Sequence, residues 1–265
     1  MSKASGPNAF PLVAADVGNH RIKLGLFAAG SGPGVPEPER WLAVDDDDRQ
    51  LDRIGQWLPV AESVSWWIGS VNRPTAGRLV DYLRTARPDD RVVLLSAGDL
   101  PLVVDLQRPD MVGIDRLLDA VAANHLRDPS RPAIIVDLGS AITVDLVSRE
   151  GAFLGGVILP GIAMSARALH EFTDLLPLIE MSELTSPPPP LGDSTVPAMR
   201  SGLFWGAVGG IRQLIELLAD QTPGEPDVFL SGGVGPAVAQ LLGPAVRHVP
   251  HLTLAGIALA ARVES

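Results

Sequence analysis

The stretch "AADVGNHRIKLGLF" (14–27) decides the fold. Its two apolar runs read as strands over 10–16 and 20–28, joined by a polar turn at Gly18–Asn19, the composition of a β-hairpin. A plain hairpin does not need an acid, an amide and a lysine around one turn, yet Asp16, Asn19 and Lys23 all lie there. One reading is a hairpin with polar punctuation. The other is a loop that handles phosphate. A glycine turn lets backbone N–H groups converge on an anion, Asn19 and Lys23 add donors, and Asp16 can hold Mg²⁺ through water. The pattern returns in "IIVDLGSAITVDLVS" (134–148), where Asp137 takes the place of Asp16 about 120 residues on. Two acids at matching turn positions are more than turn chemistry requires.

Two copies, half a chain apart, are too few and too long for a solenoid. They predict an α/β protein of two similar halves, each presenting an acidic hairpin to a shared cleft. The polar, proline-containing "RDPSRP" (127–132) suits a boundary, giving an N-terminal half at 1–128 and a C-terminal half at 129–265. Composition agrees: of 265 residues 46% are apolar but only 5% aromatic, which calls for an aliphatic, layered core. The formal charge of −10 argues against a nucleic-acid partner. The absence of a long apolar run argues against a membrane span, and the opening "MSKASGPNAF" has no signal-peptide core, so a cytoplasmic protein is expected. With no cysteine, disulfides and thiolate chemistry are excluded, and the five histidines have no metal-ligand spacing.

Between the hairpins, "GSGPGVPEPER" (30–40) reads as a loop and "VDDDDRQ" (44–50) as a solvated acidic run, with helical spacing over 49–60. "SVSWWIGSVN" (63–72) reads as a strand with Trp66 and Trp67 on opposite faces, then a helix at 75–87 and a strand in "RVVLLS" (91–96). "GIDRLLDAVAANHL" (113–126) carries a helical apolar stripe at 114, 117, 118, 121 and 122. Further on, "PGIAMSARALHEFTDLLPLI" (160–179) reads as mostly helical and "TSPPPPLGDST" (185–195) as a stiff extended segment. A long helix over 197–220, a strand running into glycines in "DVFLSGGVG" (227–235) and a closing helix at 251–264 complete the chain. The five tryptophans are expected in the core.

Beyond the hairpins, several motifs admit both a structural and a chemical reading. Asp115 and Arg116 fall on the first turn of a helix, where an acid is favoured by the dipole. The same pair can serve as a carboxylate base and a guanidinium that grips an anionic substrate. Thr195, just ahead of the long helix, is an N-cap or a substrate-binding hydroxyl. "GGVILPG" (155–161) is a strand between glycine bends. The glycines of "LSGGVG" (230–235) make a β-turn or allow close approach of a nucleotide.

Taken in order, the motifs resemble those of type III pantothenate kinases, in the acetate kinase/sugar kinase/Hsp70/actin superfamily. The resemblance rests on D-x-G-N at 16–19 with Lys23, G-x-D-R at 113–116, D-x-G-[ST]-A-x-T at 137–143 and G-G-x-I-x-P-G at 155–161. Leu169, Thr173 and "LLP" (175–177), G-x-x-T at 192–195 and the glycine pair 232–233 extend it. It implies a duplicated ribonuclease-H-like, actin-like ATPase fold and a homodimer that binds pantothenate. It also implies ATP as donor to the pantothenate hydroxyl, Mg²⁺ and a monovalent cation, K⁺ or NH₄⁺. By position, Asp16, Val17, Gly18, Asn19, His20, Arg21, Ile22 and Lys23 would hold the ATP phosphates, with Mg²⁺ reached from Asp16 through water. Ser140 would also contact ATP. Asp115 would be the proton acceptor; Gly113, Ile114, Arg116 and Thr195 would join it in binding pantothenate. Asp137 would ligate the monovalent cation.

Three positions depart from the family pattern. His20 stands where Thr or Ser is usual, Ser140 replaces Thr, and Leu106 replaces a substrate-contacting Tyr. They bear on affinity more than on reaction class, since Asp16, Asp115, Arg116 and Asp137 are all retained. The rival readings are a non-catalytic, Baf-type relative of the same fold and a superfamily phosphotransferase acting on a sugar or acetate.

Overall fold

The computed structural model describes residues 11–28, 34–45, 48–58, 63–184, 186–233 and 235–263. Residues 1–10, 29–33 (which take in the start of the glycine/proline loop), Asp46 and Asp47 of the acidic run, 59–62 (with the end of the helix expected over 49–60), Thr185, Val234, and 264–265 (with the last residue of the closing helix) lie outside the described residues. The chain divides into two compact units. The first gathers Met1–Leu126 with His251–Ser265, and the second holds Arg127–Pro250. The closing helix, counted with the second half in the sequence reading, therefore packs in the first unit.

In the first unit β1 (Leu12–Val17), β2 (Arg21–Phe27) and β3 (Arg40–Asp45) form an antiparallel meander. Strand β4 (Ser65–Ser70) joins β1 in parallel and β5 (Arg91–Leu94) joins β4, giving the order β3-β2-β1-β4-β5. Alternation along the strands sorts the side chains. Val13, Ala15 and Val17 of β1 and Ile22 and Leu24 of β2 face one core, with Ile54 of α1 (Asp48–Trp57) and Leu79 and Leu83 of α2 (Arg73–Ala86). Asn72 starts α2 by accepting a hydrogen bond from Thr75 N at 3.2 Å. Trp66 lies in this core. Trp67, register partner of Ala14, lies on the other face beneath the Arg91 guanidinium, so the two tryptophans point apart as expected.

That second face is covered by α3 (Ile114–Leu126) and α7 (Leu252–Val263). The two helices cross closely because α7 offers a glycine at the contact. A Cβ on Gly256 would stand 2.0 Å from Leu118 O of α3.

The second unit repeats the first strand for strand. Here β6 (Ala133–Leu138), β7 (Ala141–Val147) and β8 (Phe153–Pro160) form the meander. Strand β9 (Asp227–Gly232) runs parallel to β6 and β10 (Val246–His248) parallel to β9, in the order β10-β9-β6-β7-β8. Ile134, Val136 and Val144 pack against Phe204, Val208 and Ile211 of α5 (Thr195–Ala219), with α4 (Ile162–Glu171) and α6 (Gly235–Leu242) completing the layer. This duplicated α/β architecture is the one the two D-x-G hairpins predict.

Local differences have local causes. The helix expected over 160–179 stops at Glu171, where Thr173 Oγ1 donates to Leu169 O at 2.6 Å and His170 Nδ1 lies 2.9 Å from Leu176 O. These contacts turn the chain before Pro177 would break the helix. Strand β3 is absent from the sequence reading because its alternation is hemmed in by prolines and acids. It is an edge strand, and its Trp41 is 59% exposed against His251 rather than in the core. Helix α6 and the three-residue β10 also escape a periodicity argument, being too short to show one.

Replacing Gly256 with alanine tests the α3–α7 crossing. Alanine favours the helix by up to about 1 kcal/mol, but overpacking against a main-chain carbonyl costs about 1–3 kcal/mol. The expected result is a lower urea midpoint with unchanged slope. A midpoint equal to or above that of the parent would contradict the packing described here.

Candidate active site

In the first unit the conspicuous polar groups gather at the carboxyl ends of the parallel strands β1 and β4, the usual place for ligands in α/β sheets. Asp16 is the next-to-last residue of β1. Its neighbours in the sheet are Lys23 on β2 and Gly69 on β4. Direct cross-strand partners share a face, and Lys23 Nζ lies 3.5 Å from Asp16 Oδ2. The Asp16 side chain is 12% exposed and that of Lys23 43%, so the pair sits at the border of the core with the cation outward. Arg21, on the same face, pairs with Asp45 at 3.4 Å. With both side chains about 70% exposed, that contact is worth little energy and leaves the guanidinium accessible.

Val17 and Ile22 send their side chains into the core, so only their main chains face the turn. Gly18 N donates to Arg21 O at 2.9 Å, closing the hairpin, and Asn19 and His20 stand exposed at its tip. The chain leaving β4 continues beside this hairpin, with Val71 N donating to Val17 O at 3.1 Å. A Cβ on Gly113 would be 3.5 Å from Val71 Cγ1, which places the G-x-D-R turn at the same end of the sheet. Asp115 lies on the first turn of α3, half-buried, and its Oδ1 accepts from Arg116 N at 2.9 Å. The structural and chemical readings of Asp115 thus coexist: the turn fixes one oxygen and so orients the carboxylate.

The second unit repeats the hairpin with one residue fewer. Between the last paired residues Val17 and Ile22 lie four residues (18–21), and between Leu138 and Ile142 lie three (139–141). The additional residue of the first turn falls in the Asn19–His20 tip, so the His20 departure sits where the two loops differ in length. Asp137 pairs in register with Thr143 and neighbours Ser231, as Asp16 neighbours Gly69. A Cβ on Gly139 would stand 3.0 Å from Asp137 Oδ2, so the glycine keeps space beside the carboxylate that an oxygen-preferring cation can use. Ser140 is exposed at the tip, and its carbonyl accepts from Gly161 N at 3.2 Å, anchoring the start of α4 to this hairpin. Among the described residues no group of three or more Asp, Glu or His sits together as a ready metal cluster. A cation held by the described residues would have fewer than three such side chains around it and take its other oxygens from main chain, water or substrate.

Thr195 is placed differently from the N-cap expectation. Ser194 is the cap and Thr195 the first helical residue of α5, exposed. It lies on the margin of an apolar groove of about 980 Å³ within the second unit, lined by Ile162, Leu169 and Phe172 on one side and Met199 and Leu203 on the other. Phe172 and Leu175 beyond α4 are each 85% exposed. The groove was not legible from periodicity, because its lining is the unpaired margin of two helices. The one available sign was that Phe172 and Leu175 follow the end of the α4 stripe without a partner run.

A family model described as type III pantothenate kinase matches residues 12–217. A type III pantothenate kinase of Nocardia farcinica (strain IFM 10152) is 36% identical over 263 residues, covering 93% of this chain and 95% of the relative. That of Acidiphilium cryptum (strain JF-5) is 32% identical over 255 residues, covering 93% and 92%. Among solved structures, a candidate 2-dehydro-3-deoxygalactonokinase protein from Sinorhizobium meliloti superposes with a TM-score of 0.54 at 15% identity, over 95% of this chain and 98% of that one. That likeness speaks for the fold alone. With the duplicated sheets, the acidic hairpins and the G-x-D-R turn in place, the match over nearly the full chain settles descent: the chain belongs to the type III pantothenate kinase family.

Proposed function

We propose that the protein transfers the γ-phosphoryl group of ATP to the primary hydroxyl of pantothenate, giving 4'-phosphopantothenate and ADP, the first step of coenzyme A biosynthesis. The observation that carries this reading is the joint placement of the Asp16–Lys23 hairpin and the Gly113–Arg116 turn at one end of one sheet, where the strand ends and Val71 bring them together. Lys23 and the main chain of the exposed Asn19–His20 tip, which the Gly18 N–H to Arg21 O bond holds in place, supply donors for phosphate oxygens. Arg116 supplies a guanidinium for the pantothenate carboxylate, which orients the far hydroxyl. As the hydroxyl oxygen bonds to phosphorus, the bond from the γ-phosphorus to the bridging oxygen breaks, ADP takes that electron pair, and the hydroxyl proton passes to Asp115. In a loose transition state that transfer is late, so the acceptor need only receive the proton once the new bond is largely formed.

Asp16 fits a Mg²⁺ held through water. Asp137, with the space beside Gly139, fits K⁺ or NH₄⁺, and Ser140 keeps the ATP contact that the family pattern gives it. When bound, these cations neutralise phosphate charge. Thr195, beside the groove, binds pantothenate through its hydroxyl. A homodimer is proposed through the α4–α5 face, supported by the exposed Phe172, Leu175 and Met164. No helix among the described residues is long and apolar enough to cross a membrane, and a cytoplasmic enzyme is proposed.

Three measurements test these assignments. Purified protein with ATP, Mg²⁺ and K⁺ should release ADP only when pantothenate is added. Asp115→Asn should keep the parent's circular dichroism and melting temperature yet lose about 100-fold or more in kcat. Near-parental turnover by Asp115→Asn would remove the base assignment. A folded wild-type protein without pantothenate-dependent turnover would point to a non-catalytic member. Sedimentation should give a dimer that Phe172→Glu with Leu175→Glu converts to monomer, and a wild-type monomer would contradict the proposed interface.

A further inference from the structure

The tetraproline stretch has no part in the reaction above. In the second unit it lies along α5. Trp205 Nε1 donates to Pro188 O at 3.0 Å, and Ser201 Oγ donates to Pro190 O at 2.7 Å. The backbone of Gly192 presses on the first turn of the helix, where a Cβ would stand 2.2 Å from Ala198 N and 2.5 Å from Ala198 Cα. Residues 188, 190 and 192 therefore meet helix residues 205, 201 and 198. The strap runs antiparallel to α5 and passes about one helical turn for every two residues.

That register has a physical basis. An extended polyproline segment advances about 3.1 Å per residue, so two residues span roughly 6 Å against about 5.4 Å for a helical turn. The proline rings fix φ and carry no N–H, so the strap cannot contract into a helix of its own, and its carbonyls face outward as acceptors. The neighbouring turn Met181–Leu184 is tied to the same helix, since the Arg200 guanidinium pairs with Glu183.

The head of α5 needs such a fixture. Its N-cap, Ser194, makes no side-chain capping bond; the Ser194 hydroxyl is directed to Asp193 Oδ1 at 3.3 Å instead. A helix without its side-chain cap frays first at that end.

We propose that Ser201 and Trp205 are positioning residues for substrate. By holding the carbonyls of Pro190 and Pro188 they fix the length and direction of the strap. The strap in turn delivers Gly192–Ser194 to the helix head and sets the Thr195 hydroxyl in place. The inference rests on the assignment of Thr195 to pantothenate.

The test compares Trp205→Phe, which keeps the ring and loses the donor, with Ser201→Ala and the conservative Ser201→Thr. Losing one neutral hydrogen bond should raise KM for pantothenate about fivefold in Trp205→Phe and Ser201→Ala, with KM for ATP and kcat changed by less than about twofold. Ser201→Thr should restore the parental KM. Amide hydrogen exchange over 192–199 should quicken in the two impaired variants. An unchanged KM for pantothenate, or equal rises in both KM values, would overturn the inference. Should wild-type protein fail to phosphorylate pantothenate, the substrate assignment falls. Exchange then decides the strap separately: unchanged protection over 192–199 in Trp205→Phe refutes it, and faster exchange upholds it.

Discussion

The main chain of Leu118 under Gly256 is the contact on which the first unit's site depends. No residue with a side chain fits there without moving one helix, because a Cβ would lie 2.0 Å from the Leu118 carbonyl. Through that crossing α7 holds α3 down on the sheet, where Leu118 also meets the bare backbone of Gly69, the parallel neighbour of Asp16. The first turn of α3 then falls beside Val71 at the carboxyl end of β4, with Asp115 and Arg116 on it. A helix that the sequence places at the far end of the chain thus sets the position of two residues near its middle.

The same logic of backbone against backbone recurs in the second unit. Gly161 meets the carbonyls of Gly139 and Ser140, joining the start of α4 to the second hairpin. Gly192 meets the first turn of α5. Around both joints the side chains proposed for the site, Ser140 and Thr195, are small and polar, and the aliphatic core supplies the rigidity. An aliphatic core packs densely in few rotamers, which lets a short hairpin hold a carboxylate at a fixed place. The two hairpins are nevertheless unequal, since the first carries an additional turn residue at its tip. Only the first also pairs its acid with a lysine, whereas the second faces Asp137 with Thr143. Duplication kept the frame, and the turns diverged in the chemistry they can offer.

Much of this was legible in the amino-acid sequence. The echo of Asp16 at Asp137 predicted two sheets of one topology, because a strand–turn–strand with an acid before glycine leaves few alternatives. Trp66 and Trp67 announced their opposite faces by simple alternation. What escaped was set by side-chain contacts that periodicity does not register, by contacts distant in sequence, or by elements too short or too hemmed in to show a pattern. Strand β3 hides between prolines and acids, and α6 and β10 are brief. The end of α4 at Glu171 depends on the Thr173 hydroxyl reaching back to Leu169. The partnership of α7 with the first unit rests on Gly256, a residue whose meaning appears only once Leu118 is seen against it. Likewise the tetraproline segment runs extended, as its sequence predicts, but nothing in its own sequence named α5 as the surface it follows.

Together these parts move a phosphoryl group from ATP to the hydroxyl end of pantothenate. The most direct measurement is ³¹P NMR of the wild-type reaction. With pantothenate, a new phosphomonoester resonance should grow one-for-one with ADP, and without pantothenate neither should appear. ADP formed with inorganic phosphate as its only counterpart, or formed equally without pantothenate, would contradict the account.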